Sequence, residues 1–411
     1  MPDGAMPTRN RFWRTHTLTA ERNNAHLINP SSQEQPSICI LGGGQLGAML
    51  CEAAKRMGYF AICISPDSND PAARWADRHI KGDPSDPLLV RSVSEGAAAI
   101  TVEAESIDPA ALSQNNFHGV ISPGVEVQRI VQDRRLEKTF LAEHGLAVGP
   151  FRLAETLDDF QIVIADMLKS SEKVVAKTAR GGYDGRGQIW LNSADQIQSA
   201  WRSLGQVAVV VESAVDFIAE ISVITARNQR GDKCVFPVLQ NEHRNGILFQ
   251  TQIPAPQPLD VIRTAQELAV ETADALGLVG LLTVEMFVLA DGRVWINELA
   301  ARPHNSGHVT MRTASRSQFE MHVCAMMGLP LVPVSLITPG VMTNLLGDLW
   351  LHGEPPLDNV LSETTASVHL YGKSPRPGRK MGHMIHVAPT LGEAKAAADR
   401  AFSSLNQRVS P

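Results

Sequence analysis

The chain carries no apolar pattern at its start and acquires one abruptly at Ser37-Ile38-Cys39-Ile40-Leu41, a short apolar run that ends in glycines. Such a run predicts a buried strand. A helical stretch follows over 45–57, and Gly58 stands where a helix C-terminus is expected. Further apolar runs at 60–64, 98–102 and 119–121 read as strands, with helical or loop segments between them. Strands alternating with helices in this way predict an open, parallel α/β layer.

A helix over 133–144, stopped by Gly145 and Pro150, leads out of that layer. Short strands at 173–177, 188–191 and 207–211 surround a glycine-rich loop and predict a compact second unit. A larger α+β unit follows, containing a long helix over 259–276 stopped by Gly277. The remainder mixes short strands with Gly/Pro turns. The expected division is an extension at 1–36, a Rossmann-like layer at 37–135, a lid and linker at 136–213, a catalytic unit at 214–335 and a small β-rich unit at 336–405.

A chain of 411 residues is too long for one ordinary core, which agrees with several units. The net charge of -6 argues against broad nucleic-acid binding, so any phosphate site must be a local pocket. The five cysteines form no CxxC pair and predict reduced, buried thiols in a cytoplasmic protein. Residues 1–36 scatter Arg9, Arg11, Arg14 and Arg22 among polar residues without an apolar core, which predicts a disordered extension and not a secretory signal.

Gly42-Gly43-Gly44-Gln45-Leu46-Gly47 is a GxGxxG after a strand and at the start of a helix, where backbone N–H groups can approach an anion. A dinucleotide site, a phosphate or nucleotide-like substrate site and a structural turn all remain open there. The loop after Lys177 is more specific. Four glycines lie within residues 181–187, a flexible lid able to fold over a triphosphate, and Lys177 at the end of a strand supplies a fixed positive charge. No GKS/T element is present, so this is not a Walker A loop.

Two strand-like segments, 282–289 and 293–298, flank Asp291-Gly292, a strong hairpin signal. If those two residues form the turn, Glu285 faces Glu298. Directly opposed Cβ atoms lie about 5 Å apart, where like charges repel, and a divalent cation resolves the conflict. Oxygen-only ligands suit Mg2+ held together with substrate phosphates, and Asn297 is placed to assist. The polar loop Ala301-Arg302-Pro303-His304-Asn305-Ser306-Gly307-His308 reads as substrate-binding. Lys373, Arg376, Arg379 and Lys380 concentrate cations on turns, which suits a phosphate monoester.

GGGQLG, TVEAE at 101–105, GGYDGRGQ at 181–188, NELAARPHNSGH at 297–308 and RPGRKMGH at 376–383 occur in this order. Together they resemble the ATP-grasp superfamily, and within it the N5-carboxyaminoimidazole ribonucleotide synthetases, over nearly the whole chain beyond the extension. The resemblance implies an ATP-grasp α/β fold and carboxylation of 5-aminoimidazole ribonucleotide by bicarbonate and ATP in purine biosynthesis, via carboxyphosphate. It implies an ATP site of Arg134, Lys177, Gly182, Tyr183, Asp184, Gly185, Arg186, Gly187, Gln188, Glu212, Val215, Glu220, His243, Asn297 and Glu298. Glu285 and Glu298 correspond to Mg2+ ligands. Gln45, Leu46, Glu103, His304, Asn305, Lys373, Arg379 and Lys380 correspond to the ribonucleotide site, with Tyr183, Asp184, Arg186 and Lys373 nearest the reaction. The family also implies a homodimer. The competing expectations are a formate-dependent glycinamide ribonucleotide transformylase, an NAD-dependent oxidoreductase and a non-catalytic nucleotide-binding protein.

Overall fold

The computed structural model of the chain describes residues 35–113, 117–182, 185–351 and 353–406. Its first layer is a parallel sheet of β1 (Ser37–Leu41), β2 (Phe60–Ser65), β3 (Arg78–Lys81), β4 (Ala99–Val102) and β5 (Val120–Ser122), in the order β3-β2-β1-β4-β5. β1 lies at its centre. Ile38, Cys39, Ile40 and Leu41 are all buried there because helices cover both faces, which is why the run is apolar throughout and does not alternate. The helix Gln45–Arg56 packs on one face through Leu46, Met49, Leu50 and Ala53.

The second layer is antiparallel and small: β6 (Phe151–Ala154), β7 (Val174–Thr178), β8 (Gln188–Leu191) and β9 (Val209–Ser213), ordered β6-β9-β7-β8. The glycine loop joins β7 to β8. One side of this sheet is closed by Phe160, Ile164, Ile197 and Trp201. Thr156 and Asp159 form a capping box at the start of the helix Leu157–Met167, which delivers Phe160 and Ile164 to that core.

The third sheet is built from β10 (Phe217–Arg227), β11 (Lys233–Val235), β12 (Leu239–Arg244), β13 (Ile247–Ile253), β14 (Gly280–Leu289), β15 (Val294–Ala300), β16 (Gly340–Leu346), β17 (Ala366–Leu370) and β18 (Lys380–Val387). Its order is β15-β14-β10-β12-β13-β16-β18-β17, with β11 paired to β10. The last three strands therefore continue the same sheet. The helix Leu259–Ala275 buries Val261, Ala265, Ala269 and Ala273 against one face of β10 and β14. The opposite face carries the polar residues of the site.

The β14–β15 hairpin departs from the expected two-residue turn. Leu289 N–H donates to Arg293 C=O, so the loop holds three residues, Ala290, Asp291 and Gly292, with Gly292 at φ 84°. A left-handed residue at the third position suits glycine. This longer loop shifts the pairing by one: Val288 faces Val294 and Met286 faces Ile296. A bulge between Glu285 and Met286 then restores the lost residue, and Glu285 faces Glu298 after all. All five cysteines are free and buried, and burial pushes the Cys39 and Cys63 thiols up to about 12. The expected extension lies outside the described residues up to position 34.

Candidate active site

The glycine loop of the first layer is already filled by the chain itself. Glu103, just beyond β4, accepts the Gly44 N–H through one carboxylate oxygen and the Gly47 N–H through the other at 2.7 Å. A Cβ on Gly44 would stand 2.6 Å from Glu103 Oε1, so this close approach requires glycine. The anion at the helix N-terminus is therefore a side chain, and the N–H groups that a dinucleotide pyrophosphate would use are taken. Burial pushes the Glu103 carboxyl up, and its two backbone donors oppose the shift. Beside it, Lys373 Nζ reaches Gln45 Oε1 and lies 5.3 Å from the Tyr371 ring. Burial, opposed by Glu103 and reinforced by Arg379 and Lys380, brings Lys373 down to about 8.

The seam between the lid sheet and the large sheet is lined with charge. Lys177 on β7 donates to Glu212 Oε2 on β9 at 3.0 Å and to Asn297 Oδ1 on β15 at 3.4 Å. Lys138 lies 3.7 Å from the other oxygen of Glu212. Burial opposes ionisation of Glu212, but Lys138 and Lys177 outweigh it and hold the carboxyl below its ordinary range. Arg134 bridges the seam: its guanidinium donates to Thr178 C=O at 3.2 Å and Gly182 C=O at 2.9 Å, and meets Glu298 at 3.5 Å. Asp133, fully buried, caps the helix Arg134–Glu143 and pairs with Arg180 at the base of the lid at 3.0 Å.

Glu285 and Glu298 are paired across β14 and β15 and share this seam. Burial pushes Glu285 up to about 7; His243 opposes this, while Glu298 and Glu220 add to it. A carboxyl held so far above its ordinary range, opposite a second carboxylate, is the donor set that a divalent cation relieves. His243, bonded through Nδ1 to Glu220, is lowered by burial, but Glu220 outweighs this and raises it.

A hydrogen-bond chain orients Glu285 from behind. Thr251 Oγ1 donates to Asn241 Oδ1 at 2.9 Å, and Asn241 Nδ2 donates to Ser222 Oγ at 3.1 Å. Ser222 Oγ meets Ser306 Oγ at 3.0 Å, and Ser306 Oγ meets His304 Nδ1 at 2.9 Å. The Ser306 N–H also points at His304 Nδ1, at 3.3 Å. With Nδ1 accepting, the ring proton sits on Nε2, 3.3 Å from Glu285 Oε1. Burial, reinforced by Arg302 and Lys380, drives His304 well below its usual range, so it is a neutral donor. Gln318 fixes the loop: it accepts His304 N–H at 2.9 Å and donates to His304 C=O at 2.7 Å.

Three family descriptions match successive parts of the chain: the ribonucleotide synthetase preATP-grasp domain over 36–132, the ATP-grasp domain over 139–319, and the phosphoribosylaminoimidazole carboxylase C-terminal domain over 340–397. The N5-carboxyaminoimidazole ribonucleotide synthase of Bacillus subtilis is 40% identical over 349 residues, 84% of this chain and 90% of that protein. The chain belongs to the N5-carboxyaminoimidazole ribonucleotide synthase family. It is thus an ATP-grasp ligase. A solved ADP complex of such a synthetase superposes with a TM-score of 0.83 at 36% identity, covering 91% of this chain and 99% of that one. The Aspergillus clavatus synthase, solved with ADP and 5-aminoimidazole ribonucleotide, matches with a TM-score of 0.81 at 29% identity, covering 90% and 99%.

Against the family expectation, Arg134, Lys177, Glu212, Asn297 and Glu298 converge on the seam, and Glu220, His243, Glu285 and His304 line its neighbouring face. Gln45, Glu103 and Lys373 form a second group, and the charge of Lys380 acts on both. Arg379 donates to Ser374 C=O at 3.0 Å and raises the local positive potential at Lys373. Asn305 is buried, and neither its Nδ2 nor its Oδ1 has a hydrogen-bond partner among the described residues of the protein, which leaves its amide open to a ligand or water. The Leu46 side chain packs in the first core, so only its backbone can face a ligand. Val215 is half-buried, two residues beyond the end of β9. Gly182 accepts Arg134, Gln188 pairs with Lys177, and Gly185 packs over the Asn245-Gly246 turn with Arg186 and Gly187 beside it. Tyr183 and Asp184 lie outside the described residues.

Sequence pattern alone does not mark Glu137, Lys138, Ser222, Asn241 or the half-buried pair of Arg302 Nε and Glu105 Oε1, 2.7 Å apart. Glu137 and Lys138 look like the polar face of a surface helix, and no spacing marks them as buried. Glu105 and Arg302 belong to the TVEAE and NELAARPHNSGH segments, and residues so far apart in sequence carry no sign of contact.

Proposed function

We propose that the chain carries out the reaction of its family: ATP-dependent carboxylation of 5-aminoimidazole ribonucleotide by bicarbonate to the N5-carboxy product, ADP and phosphate, in purine biosynthesis. The observation that carries this is the seam itself. At the junction of two sheets Lys177 reaches Asn297, and Arg134 bridges the lid carbonyls to Glu298, the cross-strand partner of Glu285, while Gln45, Glu103 and Lys373 form a second polar group.

ATP lies between the lid sheet and the large sheet, with its phosphates near Lys177, Arg134 and the 182–188 loop. Glu285 and Glu298 are the carboxylates for Mg2+, which when bound beside the phosphates offsets charge on the transferring group. Bicarbonate oxygen takes the γ-phosphoryl group and becomes carboxyphosphate, whose charge Lys177 and the lid N–H groups spread. Closing the lid keeps water from this labile species. The exocyclic amine of the ribonucleotide then attacks the carboxyl carbon, and phosphate leaves. Asp184 takes the amine proton, and Tyr183 and Arg186 complete the proposed catalytic set. Lys373, Arg379 and Lys380 bind the ribonucleotide phosphate, and Asn305, His304, Gln45 and the Leu46 backbone hold its ring and ribose.

The family resemblance supports a homodimer, and the five buried thiols support a cytoplasmic location. No helix among the described residues is long and apolar enough to cross a membrane. Incorporation of labelled bicarbonate into an acid-labile ribonucleotide product, dependent on ATP, tests the assignment. Absence of incorporation under saturating substrates contradicts it.

A further inference from the structure

β15 ends the large sheet, so among the described residues one of its edges has no strand partner beyond the bridge between Val148 and Ile296. On that edge the Ile296 N–H donates to Ala147 C=O at 2.7 Å, and the Asn297 C=O accepts Lys138 Nζ at 2.7 Å. Consecutive residues of a regular strand aim their backbone groups to opposite edges. Here both point outward, which is how the bulge is made. Two positions further, Leu299 N–H donates to Glu137 Oε2 at 3.2 Å. Glu298 is thus gripped on both flanks by adjacent side chains of one helix, Arg134–Glu143.

Both grips are ionisable and interior: Glu137 is 1% exposed and Lys138 is 3% exposed, and burial, reinforced by Glu298, pushes the Glu137 carboxyl up to about 8. Burying such groups is unfavourable unless they make specific bonds, and these two bonds are to the backbone around one carboxylate. The hairpin loop alone would set β15 one residue out of step, turning Glu298 away from Glu285. The bulge corrects this only while the outward carbonyl of Asn297 and the N–H of Leu299 have partners. Lys138 also lies 3.7 Å from Glu212, which couples the grip to the lid sheet.

We propose that Glu137 and Lys138 are positioning residues that hold the Asn297–Glu298 bulge in the register where Glu298 faces Glu285, and so set how well the paired carboxylates take a divalent cation with the nucleotide. The proposal rests on the nucleotide–metal assignment of the seam.

The test is calorimetric titration of the full-length chain with ADP, with and without Mn2+, in wild type, Glu137→Met, Glu137→Gln and Lys138→Met. In wild type Mn2+ tightens ADP binding. In both Met variants that enhancement falls at least about tenfold, while affinity for ADP alone changes less than about threefold. Glu137→Gln keeps a carbonyl oxygen for the Leu299 N–H and retains the enhancement. Hydrogen–deuterium exchange of the β15 peptide rises in the Met variants only. Folded Met variants with wild-type enhancement overturn the proposal, as does a Gln variant as impaired as the Met one. Should Lys138→Met fail to fold, the two Glu137 variants decide. Wild-type ADP binding that ignores Mn2+ overturns the metal assignment together with this proposal, whereas normal variants beside a responsive wild type overturn the proposal alone.

Discussion

Glu285 and Glu298 stand opposite one another across β14 and β15, although the loop joining these strands holds one residue more than a two-residue turn. Two offsets cancel: the loop moves the register by one residue, and the bulge at Asn297 moves it back. This pair is the proposed cation site, and Glu298→Gln is expected to lower ATP turnover by roughly a thousandfold, the scale of several kcal/mol of lost charge stabilisation. Circular dichroism and melting should stay near wild type. Retained turnover in Mg2+ counts against the metal assignment.

The chain behind Glu285 gives a second expectation. Ser306→Ala removes the hydroxyl between Ser222 and His304 and leaves only the longer Ser306 N–H contact, at 3.3 Å, to hold Nδ1 as the acceptor. The concentration of Mg2+ giving half-maximal ATP turnover should rise about tenfold, a common cost of losing an outer partner at a metal site. The KM for the ribonucleotide, which His304 also contacts in the proposed complex, should change less than the Mg2+ requirement.

How much of this was legible beforehand differs by element. β1, the helix after the glycine loop and β8 follow from local pattern, because an all-apolar run in a covered parallel strand and a glycine stop are decided within a few residues. The opposed glutamates were placed correctly by counting from an incorrect turn, since neither the three-residue loop nor the compensating bulge leaves a mark in the apolar pattern. The loop at 42–47 was legible as an anion site, yet the anion is Glu103, supplied by a strand that only the parallel sheet brings alongside. Glu137 and Lys138 were hidden for the same reason: charge on a helix says nothing of burial until the edge of β15 covers it.

Glu103 in the glycine loop leads to a third expectation. Gly44 has an ordinary backbone conformation, so Gly44→Ala adds only a methyl group, 2.6 Å from Glu103 Oε1. The displaced carboxylate should cost about 1–3 kcal/mol of stability and raise the KM for the ribonucleotide, with the KM for ATP unchanged. Thermal melting and steady-state kinetics measure both. An unaltered ribonucleotide KM would separate Glu103 from the substrate pocket.

Lys373 supplies a pH dependence. Burial holds its ammonium down to about 8, so in the free enzyme its charge is present below that pH and is lost as pH rises through it. A phosphate ligand needs the charged form, and kcat/KM for the ribonucleotide should therefore fall above about pH 8, since that ratio reports the free enzyme. Lys373→Arg should move the falling limb upward because guanidinium stays charged. Lys373→Ala should raise the KM about 10- to 100-fold, as expected for one lost charge-assisted bond.

The most direct measurement of the central claim is phosphate release from ATP by the purified chain with 5-aminoimidazole ribonucleotide and bicarbonate supplied singly and together. The account predicts fast release only with both present, and no response when formate with glycinamide ribonucleotide replaces them. Release driven by formate, or release indifferent to the aminoimidazole ribonucleotide, would contradict it.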